Sequence, residues 1–323
     1  MNSFGNFFRI NIFGESHGPC IGINIDGCPP GIPLTEDDFA ADLERRKPGA
    51  RGTTPRKEDD SPEIVSGCYR GFTTGAPLTL LFANKNVRSG DYDHLRNRPR
   101  PGHADFVAAK RFMGFNDPRG GGHFSGRLTL ALVAAGVVAK KILDEVEIAA
   151  ALVQAGGRSD IEAAVEEALA AGDSIGGLVE CRAKNIPVGW GEPFFDPVES
   201  VISHLAFAVP AIKGIEFGSG FAAASMKGSE HNDAIVDESG KTASNNAGGI
   251  SGGLTNGNEL VFRVAVKPTS SISKKQETLN VKTGKMETLQ VKGRHDACIA
   301  LRVPVVIEAI TAVALADLKL MTK

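Results

Sequence analysis

Two stretches hold most of the residues whose types and spacing could do chemistry. RPGHADF at 100–106 sets Arg100 and His103 on either side of a Pro-Gly turn, just ahead of a helical pattern. RGGGHFSGR at 119–127 is a glycine-rich turn carrying a histidine, a serine and an arginine, and it runs straight into an apolar helix. Glycines let backbone N–H groups approach an anion, and a helix N-terminus adds roughly half a positive charge. These stretches therefore read as a basic pocket for a phosphorylated or carboxylated ligand. Lys267, followed by Pro268 and the hydroxyl residues Thr269, Ser270 and Ser271, reads as a phosphate grip. His17 sits in the tight turn GESHGP, a poor place for a packing residue and a good one for a reactive group.

A further loop, RRKPGARGTTPRKEDD at 45–60, is polar and lacks hydrophobic periodicity. Alone it would be a solvated surface loop, and Glu58, Asp59 and Asp60 read as solvated charge. Overall charge is ordinary, yet arginines concentrate here and between 88 and 127, which would raise the local concentration of a small anion. His94, His204 and His231 read as surface or internally satisfied histidines.

The elements that must position these groups follow from periodicity. FRINIF and CIGINID, around the GESHGP turn, read as strands. Thr35 can cap a helix that Pro48-Gly49 ends. Strands are expected at 63–69, 77–83, 146–153, 177–186 and 260–266, and an extended glycine-spaced run at 213–227. Helices are expected from Ser125 to about Leu143, at 159–171, at 196–208 and at 304–320. The helix from Ser125 is apolar nearly all round, which implies burial on several sides. No fixed-period repeat, low-complexity linker or strand–GxGxxG–helix unit occurs, so the expectation is one compact α+β domain over 1–323, not a Rossmann fold.

Composition narrows the class. Hydrophobic residues make up 42% and charged residues 23%, enough apolar material for a real core. A net charge of −2 and a pI near 6.4 argue against a general nucleic-acid or membrane-surface binder. Five scattered cysteines with no CxxC pair suit reduced, buried thiols rather than disulfides or a zinc site. The N-terminus lacks a signal-peptide pattern, and the apolar run at 128–139 is too short to span a bilayer. The expectation is a soluble, cytoplasmic protein without metal, nucleic acid or membrane partners.

Eight segments in order resemble the chorismate synthase family: GESHGP, the arginine loop, RPGHADF, RGGGHFSGR, KGIEFGSGF, NNAGGISGG, KPTSSI and GRHDACIALR. The resemblance runs over nearly the whole chain. It implies a β-α-β sandwich of antiparallel sheets around internal helices, assembled as a homotetramer. The implied reaction is an anti-1,4-elimination of phosphate and a ring hydrogen from 5-enolpyruvylshikimate 3-phosphate, giving chorismate. It needs reduced flavin mononucleotide (FMN), with NADPH involved only indirectly, in flavin reduction.

By the same resemblance, Arg46, Arg51, Arg56, Arg100 and Arg127 hold the substrate's anionic groups. His17 protonates the departing phosphate, His103 stabilises the reduced flavin, and Asp296 passes a proton onward. Flavin contacts carry over to His123, Phe124, Ser125, Ala211, Gly252, Lys267, Pro268, Thr269, Ser270, Ser271 and Arg294. Two departures stand out: His123 replaces a frequent arginine, and RHDA replaces the frequent RHDP. Competing expectations are a bifunctional form that reduces its own flavin with NADPH, which no extra domain supports, and a non-catalytic anion- or RNA-binding protein. The acidic pI and scarce Tyr and Trp count against the latter.

Overall fold

The computed structural model describes residues 2–54, 60–85, 95–291 and 295–322. The first sheet contains Ser3–Phe4 (β1), Arg9–Gly14 (β2), Cys20–Asp26 (β3), Glu63–Ser66 (β4) and Leu78–Ala83 (β5), all antiparallel in the order β1-β2-β3-β5-β4. The second contains Glu147–Ala155 (β6), Gly177–Lys184 (β7), Ile212–Phe217 (β8) and Leu260–Val266 (β9), in the order β8-β9-β7-β6 and again antiparallel. Helices run at Ala40–Arg46 (α1), Asp105–Arg111 (α2), Thr129–Leu143 (α3), Ile161–Ala170 (α4), Val198–Ala208 (α5) and Pro304–Met321 (α6).

Strand alternation sets the inner faces. In β3 and β5, Ile21, Ile23, Ile25, Leu78, Leu80 and Phe82 are fully buried, with Ile23 opposite Leu80. In the second sheet Val179, Cys181, Phe262 and Val264 do the same work. Between the sheets lie α3, against β3, and α6, against β6 and β7, packed on each other. Gly136 makes that packing close, since a Cβ there would sit 2.4 Å from the Ala309 Cβ. Both helices are buried along nearly their whole length, as an apolar surface all round requires. This is the compact α+β fold that the periodicity predicts and the β-α-β sandwich that the family resemblance implies.

Local boundaries moved for local reasons. The helix expected from Ser125 starts as a 3-10 turn, Gly126–Leu128, capped by the Ser125 hydroxyl, and becomes α-helical only at Thr129. The expected strand at 63–69 breaks at Gly67, where φ is +83°. The extended run at 213–227 is a strand only to Phe217 and then a 3-10 turn, Gly220–Ser225. A hairpin, Gln276–Asn280 with Lys285–Leu289, had no strong sequence signal because its residues are mostly polar. Among the described residues no helix is long and apolar enough to cross a membrane.

Candidate active site

A cavity of about 1180 Å³ opens where α3 and α6 begin; Ser125, Gly126, Arg127 and Thr129 line it from one helix, Val303 and Val306 from the other. Two buried helix N-termini therefore face the same space and bias it toward negative charge. The wall also contains Ser16, Arg46, Arg100, His103, Gly120, His123, Phe124, Ala211, Lys267–Ser271, His295, Asp296 and Arg302. Groups as far apart in sequence as Arg46 and Asp296 meet here.

The glycine-rich turn is the centre of the arrangement. Gly120, Gly121 and Gly122 all have positive φ. A Cβ on Gly120 would lie 2.6 Å from His17 Nε2, and one on Gly121 would lie 3.5 Å from His103 Nε2. Consecutive glycines thus lie against the two histidines. His17 itself is buried behind Gly120, and the Ser16 N–H donates to the Gly122 carbonyl at 3.1 Å, tying the two turns together. Asn84 closes the same corner. Its amide donates to the Glu15 and Gly18 carbonyls at 3.0 and 2.9 Å, while its carbonyl accepts from Arg127 Nε at 2.8 Å.

Asp60, read as solvated charge from the sequence, is fully buried. It accepts from Arg46 Nη1 at 3.2 Å and from Arg127 Nη1 at 3.1 Å, so one carboxylate clasps two cavity arginines. The reason is solvation: two guanidiniums this far from water need a counter-charge. Arg46 also donates to Thr129 Oγ1 at 3.1 Å and to the Arg127 carbonyl at 3.2 Å.

On the opposite side Arg100 forks onto Asp105 through Nε at 2.8 Å and Nη2 at 2.9 Å, and its Nη1 donates to Ser271 Oγ at 3.0 Å. His103 Nδ1 lies 2.6 Å from Asp105 Oδ1. Burial alone would raise the Asp105 carboxyl, but hydrogen bonds from Arg100 and His103 outweigh it and hold the group well below the usual carboxylate range. Lys267 Nζ donates to the Gly102 carbonyl at 2.5 Å, and its backbone N–H holds the Ala211 carbonyl at 2.9 Å. Asp296 accepts from the Thr54 N–H at 2.9 Å and lies 3.7 Å from Arg302. The neighbouring His295 is held below its usual pKa, first by burial and further by the Arg100 charge.

His123 lines the cavity, but its nitrogens are engaged. Nδ1 donates to the Gly14 carbonyl at 2.8 Å, and Nε2 lies 3.1 Å from the Asn2 side-chain oxygen. His123 thus ties the glycine turn to the first sheet.

Not every expected residue reaches the cavity. Arg51 is 78% exposed and paired with Glu166 of α4. A Cβ on the next residue, Gly52, would come within 2.4 Å of Val165, so the loop lies flat on α4 and Arg51 points outward. Gly252 is exposed in the Gly252-Gly253 turn, where both residues have positive φ, as a tight hairpin requires. Arg56 and Arg294 lie outside the described residues. Sequence reasoning missed Asp60, Asn84, Asp105, His295 and Arg302. Asp60, Asp105, His295 and Arg302 fall inside the arginine loop, RPGHADF and GRHDACIALR, whereas Asn84 carried no signal. His204 is exposed and stacks edge-on against Phe4, as a surface histidine should.

A two-sheet sandwich whose internal helices open on an arginine-lined cavity defines a class of protein that encloses a small polyanion. Comparison makes this specific. A sequence model described as chorismate synthase matches residues 8–320. The chain is 66% identical over 322 residues to the chorismate synthase of Chitinophaga pinensis, covering 99% of this chain and 97% of the relative. It is 47% identical to that of Syntrophobacter fumaroxidans, covering 99% and 97%. A crystal structure of chorismate synthase shares the fold with a TM-score of 0.76 at 26% identity, covering 99% of this chain and 93% of the other. The chain belongs to the chorismate synthase family, whose activity is that of a carbon–oxygen lyase.

Proposed function

We propose that the cavity converts 5-enolpyruvylshikimate 3-phosphate to chorismate by anti-1,4-elimination of phosphate and a ring hydrogen, with reduced FMN in the same space. The observation carrying this reading is that one cavity joins the glycine turn, both histidine turns and the Lys267–Ser271 run. Its volume exceeds the ~300–1,000 Å³ of an ordinary single-ligand pocket, which suits substrate and flavin together. The donor set fits two phosphates and two carboxylates. Moreover Thr269 Oγ1, within the hydroxyl run beside Lys267, is buried without a hydrogen-bond partner, as a group awaiting a ligand oxygen would be.

When bound, reduced FMN would supply electron density for C–O cleavage and a site for the ring hydrogen. The chain's own residues do the rest. Arg46 and Arg127, clasped by Asp60, hold anionic groups of the substrate. His17 protonates the departing phosphate, and Gly120 lets that group approach because it has no side chain to block the ring. Lys267, Pro268, Thr269, Ser270 and Ser271 would hold the flavin phosphate, and Ala211, Phe124 and Ser125 would add further flavin contacts. His103 would stabilise the reduced flavin when it is bound, and Asp296, steadied by the Thr54 N–H, would accept a proton for transfer onward.

Purified enzyme, assayed anaerobically with reduced FMN and 5-enolpyruvylshikimate 3-phosphate, should release chorismate and phosphate together; release of neither would sink the reading. His17→Ala and His103→Ala should each slow turnover by about 10²–10⁴-fold with folding retained, and near-normal rates would remove their roles. The reading includes a cytoplasmic homotetramer, supported by Phe194, Phe195 and Phe221, each more than 80% exposed. Light scattering on the eluted enzyme checks the assembly. NADPH enters only through separate flavin reduction, so anaerobic mixing of enzyme, FMN and NADPH should leave the flavin oxidised.

A further inference from the structure

We propose that Asp105 is the positioning residue for His103, and that Arg100 serves this pair rather than anchoring substrate. Asp105 fixes the imidazole proton on Nδ1, so that Nε2 is the atom presented past Gly121 to the cavity. The reaction assigned to His103 rests on the proposed function; the positioning does not.

His103 Nδ1 has two neighbours, Asp105 Oδ1 at 2.6 Å and Arg100 Nη2 at 3.1 Å. A guanidinium only donates and a carboxylate only accepts, so one ring nitrogen cannot satisfy both. The shorter contact decides. A carboxylate 2.6 Å from a nitrogen lone pair would be repulsive, whereas an N–H donated to it is a short, charge-assisted bond. The proton therefore sits on Nδ1, and the close Arg100 contact follows from both groups sharing Asp105.

The three groups form a closed unit inside a six-residue turn. The Arg100 backbone N–H also donates to Asp105, at 3.1 Å, so the carboxylate receives two guanidinium nitrogens, one amide and one imidazole. Asp105 stays ionised across the working range of the enzyme. The Nε/Nη2 edge of Arg100 is the one that matches a bidentate anion, and it is already filled. The remaining nitrogen, Nη1, is on Ser271. From the cavity, Arg100 and Asp105 present a nearly neutral pair, whereas an anchor for phosphate or carboxylate would present a cation.

The consequence is a division of labour. His103 approaches its ligand with a defined nitrogen, and when it is protonated the Arg100–Asp105–His103 unit as a whole carries one positive charge. Loss of Asp105 would leave the ring free to turn or change tautomer, and in a serine-protease triad that error alone costs about 10⁴-fold in turnover.

The test uses ¹⁵N-histidine-labelled, ligand-free enzyme, with the His103 signals assigned by difference from His103→Ala. In the wild type the proton should be on Nδ1 at neutral pH. In Asp105→Asn it should shift partly or wholly to Nε2, with kcat falling on the order of 10²-fold. Asp105→Glu should restore the Nδ1–H form and part of the rate. In Arg100→Lys, KM for the phosphorylated substrate should change little while kcat falls. A wild-type His103 with its neutral-form proton on Nε2 overturns the proposal, as does an Arg100→Lys enzyme that loses substrate affinity at full kcat. The spectra need neither flavin nor substrate. A failed elimination assay with Nδ1–H present would therefore indict the proposed reaction, and the reverse pattern would indict the positioning.

Discussion

The two charged walls of the cavity use the same chemistry to different ends. On one, a single buried carboxylate, Asp60, joins Arg46 at the end of α1 to Arg127 ahead of α3. On the other, Asp105 joins Arg100 and His103 within one turn. The first clasp joins the two ends of the 45–60 loop to Arg127, 67 residues further on, and exists only when those segments have come together. The second is local and can be drawn from its heptapeptide alone. A carboxylate shared by two arginines locks cationic groups at fixed separation, which suits a ligand with several negative groups. A carboxylate shared by an arginine and a histidine orients a ring, which suits proton or hydrogen-bond traffic.

The contrast can be broken most forcefully at Asp60. Asp60→Ala leaves two buried guanidiniums without their shared counter-charge and should destabilise the enzyme by about 3–5 kcal/mol in urea unfolding. A midpoint equal to wild type would show that the clasp is not what holds this wall. The glycine turn gives a smaller effect. Gly120→Ala pushes a Cβ to 2.5 Å from the His17 ring at a φ of +60°, and should cost about 1–2 kcal/mol together with most of the activity. Gly121→Ala, at 3.4 Å from His103, should keep more activity than Gly120→Ala; the reverse order would mean His103 is the more tightly enclosed ring.

The smallest effect is in the acid limb of stability. The Asp105 carboxyl is held below its unfolded value, so the stability it contributes is complete above the ordinary aspartate range, near pH 4, and is lost as pH falls through the depressed value. Asp105→Asn should flatten the part of the unfolding profile below about pH 4 and leave the slope above it unchanged. Equal slopes in both proteins would show that Asp105 titrates as an ordinary carboxylate.

How much of this was readable in the sequence follows from the same contrast. The strands, the two internal helices and the turns holding His17, His103 and the glycines have short-range patterns, and they stand where those patterns put them. The KPTSS run also reached the cavity, because it extends directly from β9. Asp60 did not read as part of a site, because its burial depends on its loop folding back to Arg46 and on Arg127 arriving from elsewhere. Arg51 differs in the opposite direction. It sits in the same loop with the same chemistry, yet its guanidinium is exposed and paired with Glu166 of α4 rather than lining the cavity. Gly252 had a local explanation, a hairpin turn, that a motif match could not distinguish from ligand contact.

Helix α6 does more than fill the sandwich. Asp317 accepts hydrogen bonds from the backbone N–H groups of Asn6, Phe7 and Phe8, and Glu308 takes the Arg45 fork and the Ala150 N–H of β6. One helix thus carries the acceptors for donors in the turn between β1 and β2, in α1 and in β6. On the ribosome these elements are made before their partner, so a nascent chain must wait with apolar strand faces uncovered until residues past 317 emerge. Folding of this protein therefore waits on contacts of very high sequence separation, such as that of Asp317 with Phe8, which slow the closing of the core.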